Sequence, residues 1–193
     1  MRPAEPRLPK LSPSTLDEAQ KTLYDSIAGG RRAQGPQLFK LVDDEGQLEG
    51  PFNALLLQPA LGASLQALGA AVRFETALDG RSREIAILVV AAVWDSGFER
   101  YAHEAVGRSI GLTETELLSL REARYDVLPT EAERVVARVT EALALRGDLD
   151  DDEYSAAVEV LGLPRLFELL TLVGYYATLA LQLRVFRVGA PAG

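Results

Sequence analysis

Cysteine is missing from all 193 residues. Its absence excludes disulfides, thiolate metal sites and every redox cycle that runs through a thiol. Positive charge is also in short supply. Twenty Lys and Arg stand against 28 Asp and Glu, giving a net charge of −8. Such a balance repels phosphate backbones, so nucleic acid is not an expected partner. Long apolar runs are lacking too. The most apolar stretch, "LLTLVGYYATLALQL" from Leu169 to Leu183, is bounded by Glu168 and Arg184. It is shorter than the roughly 20 residues a bilayer needs. It reads as a helix buried in the core or in a subunit interface, with no membrane partner. The opening "MRPAEPRLPKLSP" has no apolar segment of the signal-peptide kind, so a cytoplasmic location is expected.

Alternating strand patterns are absent as well. "RYDVLPT" is the one short candidate, and Pro129 makes it a loop. What is present is helical periodicity. Ser14 is the expected cap of a first helix, with Asp17 completing a capping box and Gly29-Gly30 ending it. Residues 31–51 read as a long loop. A short helix covers Phe52 to Leu57, and Pro59 suits the first turn of the next, whose Leu61, Leu65, Leu68 and Val72 make one apolar stripe. The most hydrophobic early helix runs from Ser82 to about Ser96. Gly97 interrupts it, and Phe98 to Ile110 forms a second. Capping boxes at Thr113/Glu116, Thr130/Glu133 and Asp150/Glu153 open three more helices. Pro164 opens the last long helix, ending near Val188. The fold class is all-α: one domain, with an N-terminal arm and loop over 1–50 and a helical bundle over 51–193.

Two short matches carry no chemistry. The "RGD" at Arg146 to Asp148 reads as the loop after a helix. "GDLDDDE" has a calcium-loop composition but lacks that loop's ligand spacing, and capping accounts for it.

The only Trp and the only His of the chain lie together in "WDSGFERYAHE", Trp94 to Glu104. On a helix Glu99 and His103 fall on one face, one turn apart. A carboxylate beside an imidazole raises its pKa, fixes its tautomer and can pass a proton. Ser96 can reach the same face. Glu84 is a plausible neighbour of His103 if its helix packs antiparallel across the Gly97 turn. The structural alternative is a solvated Glu–His pair, with Glu84 as N-terminal helix charge paired to Arg81 or Arg83. One His with two Glu can also hold a divalent cation, but proton transfer is the better use of this set, and no metal is expected.

In these residues the chain resembles the carboxymuconolactone decarboxylase and AhpD-like (alkylhydroperoxidase D-like) superfamily. That pattern is Glu, eleven residues, Cys, two residues, Cys or Glu, three residues, His. Here it reads Glu84, Ser96, Glu99, His103 with every spacing kept, followed by "GLT" at Gly111 to Thr113. The likeness spans roughly Leu48 to Val188. It implies an AhpD-like helical bundle that assembles as a homotrimer or homohexamer. It also implies a branch. Peroxidase members cycle a cysteine pair, which a serine and a glutamate cannot do. Decarboxylase-like members carry Glu at the second position, as Glu99 does, though many keep Cys where Ser96 stands. The family's decarboxylation of a carboxylated butenolide needs no cofactor, and none is expected here. The resemblance implies His103 as the acid, tuned by Glu99 or Glu84, and Ser96 as a donor to the developing oxyanion. Trp94, Tyr101, Tyr175 and Tyr176 are candidate substrate-binding residues. Two functions are expected: a cofactor-independent lyase or isomerase acting on a small lactone or oxo-acid, or a non-catalytic oligomeric protein that has lost the redox cysteines.

Overall fold

In the computed structural model, which describes residues 5–34 and 36–191, eight α-helices and three short 3-10 turns make up the regular structure, with one isolated bridge between Val42 and Leu48. The helices are α1 (Glu18–Ala28), α2 (Phe52–Leu55), α3 (Pro59–Phe74), α4 (Gly80–Val93), α5 (Gly97–Ser109), α6 (Glu114–Arg121), α7 (Glu131–Arg146) and α8 (Asp151–Phe186). Among the described residues no helix is long and apolar enough to cross a membrane.

Three helix starts form the reciprocal capping boxes that the sequence spells out, at Thr113/Glu116, Thr130/Glu133 and Asp150/Glu153. Two starts differ. Asp17, not Ser14, caps α1, because Gln20 returns a hydrogen bond to the Asp17 backbone. Ser14 lies in the preceding 3-10 turn. Asp79 caps α4, accepting from the Ser82 backbone N–H, so that helix begins two residues before Ser82, at Gly80, and ends at Val93. In α8 the backbone breaks at Gly162, with φ 76° and ψ 158°. A left-handed φ suits glycine, and Pro164 then opens the second half as expected.

Helix α4 is the centre of the bundle. Every residue from Glu84 to Ala91 is buried, against α5, α7 and α8. Burial all round explains why its sequence shows no polar face. Arg81 at its start donates to Glu133 (2.6 Å), to Glu116 (2.6 Å) and to the Gly111 carbonyl (2.8 Å), tying α4 to α6 and α7. Glu168 of α8 accepts from the Ala77 and Leu78 amides (2.9 and 3.0 Å), fixing the turn that leads into α4. A smaller cluster of Leu23, Ile27, Leu41, Leu48, Phe52 and Leu55 packs α1 and the loop 31–51 onto α2 and α3.

The stripe on α3 divides. Val72 is buried and Leu65 packs on the core, but Leu61 is 61% exposed and Leu68 41%. The second half of α8 also leaves an apolar row in solvent, with Phe167 70% exposed and Leu163, Leu170, Leu181 and Val185 beside it.

Candidate active site

Helix α4 ends in a tight turn. The Trp94 and Ser96 amides donate back to Val90 and Ala91, and Asp95 takes a left-handed φ of 48°. Aspartate tolerates that region better than most residues. The turn sends α5 back along α4, so that Glu84 and His103, 19 positions apart in sequence, meet inside the bundle. His103 Nδ1 lies 2.6 Å from Glu84 Oε2, and Nε2 lies 3.3 Å from Glu99 Oε2. All three groups are buried: Glu84 is 1% exposed, Glu99 3% and His103 5%. The imidazole is clamped between two carboxylates.

Burial opposes the imidazolium, but the Glu84 carboxylate beside Nδ1 and the Glu99 carboxylate beside Nε2 outweigh it. The pKa of His103 is raised from 6.5 to about 9. At neutral pH the ring is therefore a cation, donating Nδ1–H to Glu84 and Nε2–H to Glu99. Arg83 adds a longer approach, 3.8 Å from Glu84 Oε1. The free oxygen of the clamp is Glu99 Oε1, which is buried and has no hydrogen-bond partner. An acceptor left unsatisfied in the interior costs about 1–3 kcal/mol. It is the atom with most to gain from a donor brought in by a ligand.

The space next to this clamp is small, about 20 Å³, enough for about one water. Tyr176 meets the His103 ring edge-on with centroids 5.2 Å apart, and Tyr175 stands edge-on to Tyr176 at the same distance. Both tyrosines line the gap, with Phe39, Phe52, Arg73 and Phe98. Trp94 and Tyr101 lie elsewhere. Trp94 packs against the main core, and its Nε1 is buried without a hydrogen bond. Tyr101 is 37% exposed, and its hydroxyl accepts from the Lys40 amide (3.4 Å). Ser96 is buried at the start of α5, its Oγ unpaired. It lines a neighbouring cleft of about 240 Å³ with Gly97, Ala180 and Leu183, not the gap at His103.

Phe39, Arg73 and Phe98 have no counterpart in the sequence reading. Phe39 comes from a loop without periodicity, and Arg73 from the last turn of α3. Only Phe98, adjoining Glu99, could have been picked out by position. A larger cavity, about 580 Å³, lies not at His103 but between the N-terminal arm and the end of α8. The geometry of the charged clamp, rather than cavity size, marks the candidate site.

No family model and no curated protein sequence matches the chain. Solved structures do. An AhpD-core, peroxidase-related protein from Ralstonia eutropha JMP134 superposes with a TM-score of 0.75 at 11% identity, over 97% of this chain and 94% of that one. A peroxidase-related protein from Silicibacter sp. TM1040 gives 0.76 at 12% identity, over 100% and 95%. The debrominase Bmp8, as a Cys-to-Ala variant in complex with 2,3,4-tribromopyrrole, gives 0.74 at 10% identity, over 97% and 95%. At such identities the likeness is one of backbone, and the chain has the AhpD-like fold.

Proposed function

We propose that the protein is a cofactor-independent lyase or isomerase that delivers a proton from His103 to a small lactone or oxo-acid. The observation that supports this most is the buried Glu84–His103–Glu99 clamp. An imidazolium held protonated through neutral pH is a general acid. With both ring nitrogens donating to carboxylates, a metal would have to displace a proton and a carboxylate to bind there. The reaction class follows from the acid. An unsaturated carbonyl takes up the electron pair released by loss of CO₂ or of a proton, and His103 protonates the resulting enolate carbon. Glu84 orients the ring through Nδ1, which leaves the longer-held Nε2–H as the proton to be given. Glu99 Oε1 accepts a donor of the substrate. Phe39, Phe52, Tyr175 and Tyr176 supply faces and edges for a ring. The bound bromopyrrole of the neighbouring debrominase fold supports a small ring compound as the ligand type.

On this reading His103→Gln lowers turnover by on the order of 10²- to 10⁴-fold, and Glu84→Gln lowers it less, because Glu84 positions the acid and supplies no proton. Glu99→Gln moves the alkaline limb of the rate profile to lower pH, since it removes a charge that holds the proton on. Initial rates over pH 6–10 with a panel of small lactones and oxo-acids test all three. Full turnover in His103→Gln removes the reading.

A second reading is a non-catalytic oligomeric protein, and the observation in its favour is the side-chain filling beside His103, which leaves only about 20 Å³. Both readings include self-association as a homotrimer or homohexamer. The exposed rows on α3 and on the second half of α8 are apolar faces of the kind that monomers rarely leave in water. Sedimentation at low micromolar concentration should show a trimer or hexamer. A lone 20.9 kDa species contradicts this.

A further inference from the structure

The gap at His103 holds about one water, so a substrate must be received somewhere else first. The cavity of about 580 Å³ is of the size that ordinary small ligands occupy. Residues adjacent in sequence line the two spaces. Phe39, Pro51 and Phe52 face the gap, while their neighbours Lys40, Gly50 and Asn53 face the cavity.

Phe98 stands at the junction. It lines the gap, meets Phe39 edge-on (6.5 Å between centroids), and packs with Val188, which lines the cavity. The far end of its ring also lies close against Gly50. A Cβ on Gly50 would come within 2.2–2.7 Å of three ring atoms, and Gly50 has a left-handed φ of 60°. Glycine at 50 thus lets the wall approach Phe98 closely.

The lining sets the ligand chemistry. Among the described residues its charged members are Lys10, Lys40, Glu5 and Glu49, two of each sign. Lys10 is held by Asp43 (2.7 Å) and Glu49 (2.6 Å), and Lys40 by Asp44 (3.0 Å). The Asn53 amide accepts from the Leu11 amide and donates to the Pro9 carbonyl. The remaining wall is Pro, Leu, Val, Ala and Gly. Among the described residues the lining carries no net charge, so an anion gains little from it and loses its hydration.

We propose that this chamber binds the body of an uncharged, largely apolar small molecule, and that Phe98 is the gate between it and His103. The gate's purpose rests on the reading of His103 as proton donor. The binding does not, so the test reads binding rather than turnover. The probe is N-phenyl-1-naphthylamine, followed by its fluorescence in the full-length protein. Saturable binding at one site per chain is expected, unchanged in His103→Gln and weakened at least about tenfold in Leu8→Trp and in the rim variant Ala190→Trp, which fill the chamber. The sulfonated analogue 1-anilinonaphthalene-8-sulfonate should bind more weakly than the uncharged probe. The probe should shift the single His103 NMR signal in Phe98→Leu and leave it unmoved in the parent. No saturable binding, indifference to both tryptophans, or tighter binding of the sulfonate overturns the chamber. A shift in neither protein, or equally in both, overturns the gate.

Discussion

Replacing His103 with Gln should cost about 3–5 kcal/mol of stability at pH 8, as expected when one member of a buried ion cluster is removed. The cause is what remains. Glu84 and Glu99 are 1% and 3% exposed and lose the cation between them. An amide can donate to one carboxylate but cannot neutralise either. Urea unfolding of parent and variant at pH 5 and pH 8 measures this. A solvated surface pair would give a difference near zero at both.

In the parent protein stability should fall as pH rises. The folded pKa of His103, about 9, lies above its unfolded value of 6.5. A raised pKa means that the folded state holds the proton more tightly. The clamp's contribution is therefore complete below about pH 6.5 and is lost as pH rises to 9. That interval corresponds to about 3 kcal/mol. Unfolding free energy measured from pH 6 to 10 should fall across this window, and the fall should vanish in His103→Gln. A parent whose stability is flat from 6.5 to 9 would contradict the clamp.

The helices were legible in the sequence where a cap had no rival. Thr113, Thr130 and Asp150 each stand three residues before a Glu that returns the bond. Ser14 lost to Asp17, a carboxylate that accepts a backbone N–H more strongly, and α4, read from Ser82, starts at Gly80 behind its cap Asp79. The α3 stripe shows a second limit. Periodicity finds an apolar face but not what covers it, and Leu61 and Leu68 point away from their own bundle. In the site, Glu99 and His103 follow from helical spacing alone, and Glu84 needed only the turn at Asp95. Phe39 and Arg73 depend on how the loop 31–51 and the end of α3 close over α5, which no local pattern encodes. Nor does any pattern show that the space left at His103 is smaller than a substrate.

The chain has one histidine, so its imidazole gives one unambiguous set of NMR signals. Titrating them from pH 5 to 11 in the folded protein tests most directly whether His103 is a buried imidazolium held between Glu84 and Glu99. The predicted result is a midpoint near 9, with both ring nitrogens protonated at pH 7. A midpoint at or below 6.5, with a neutral ring at pH 7.5, would contradict it.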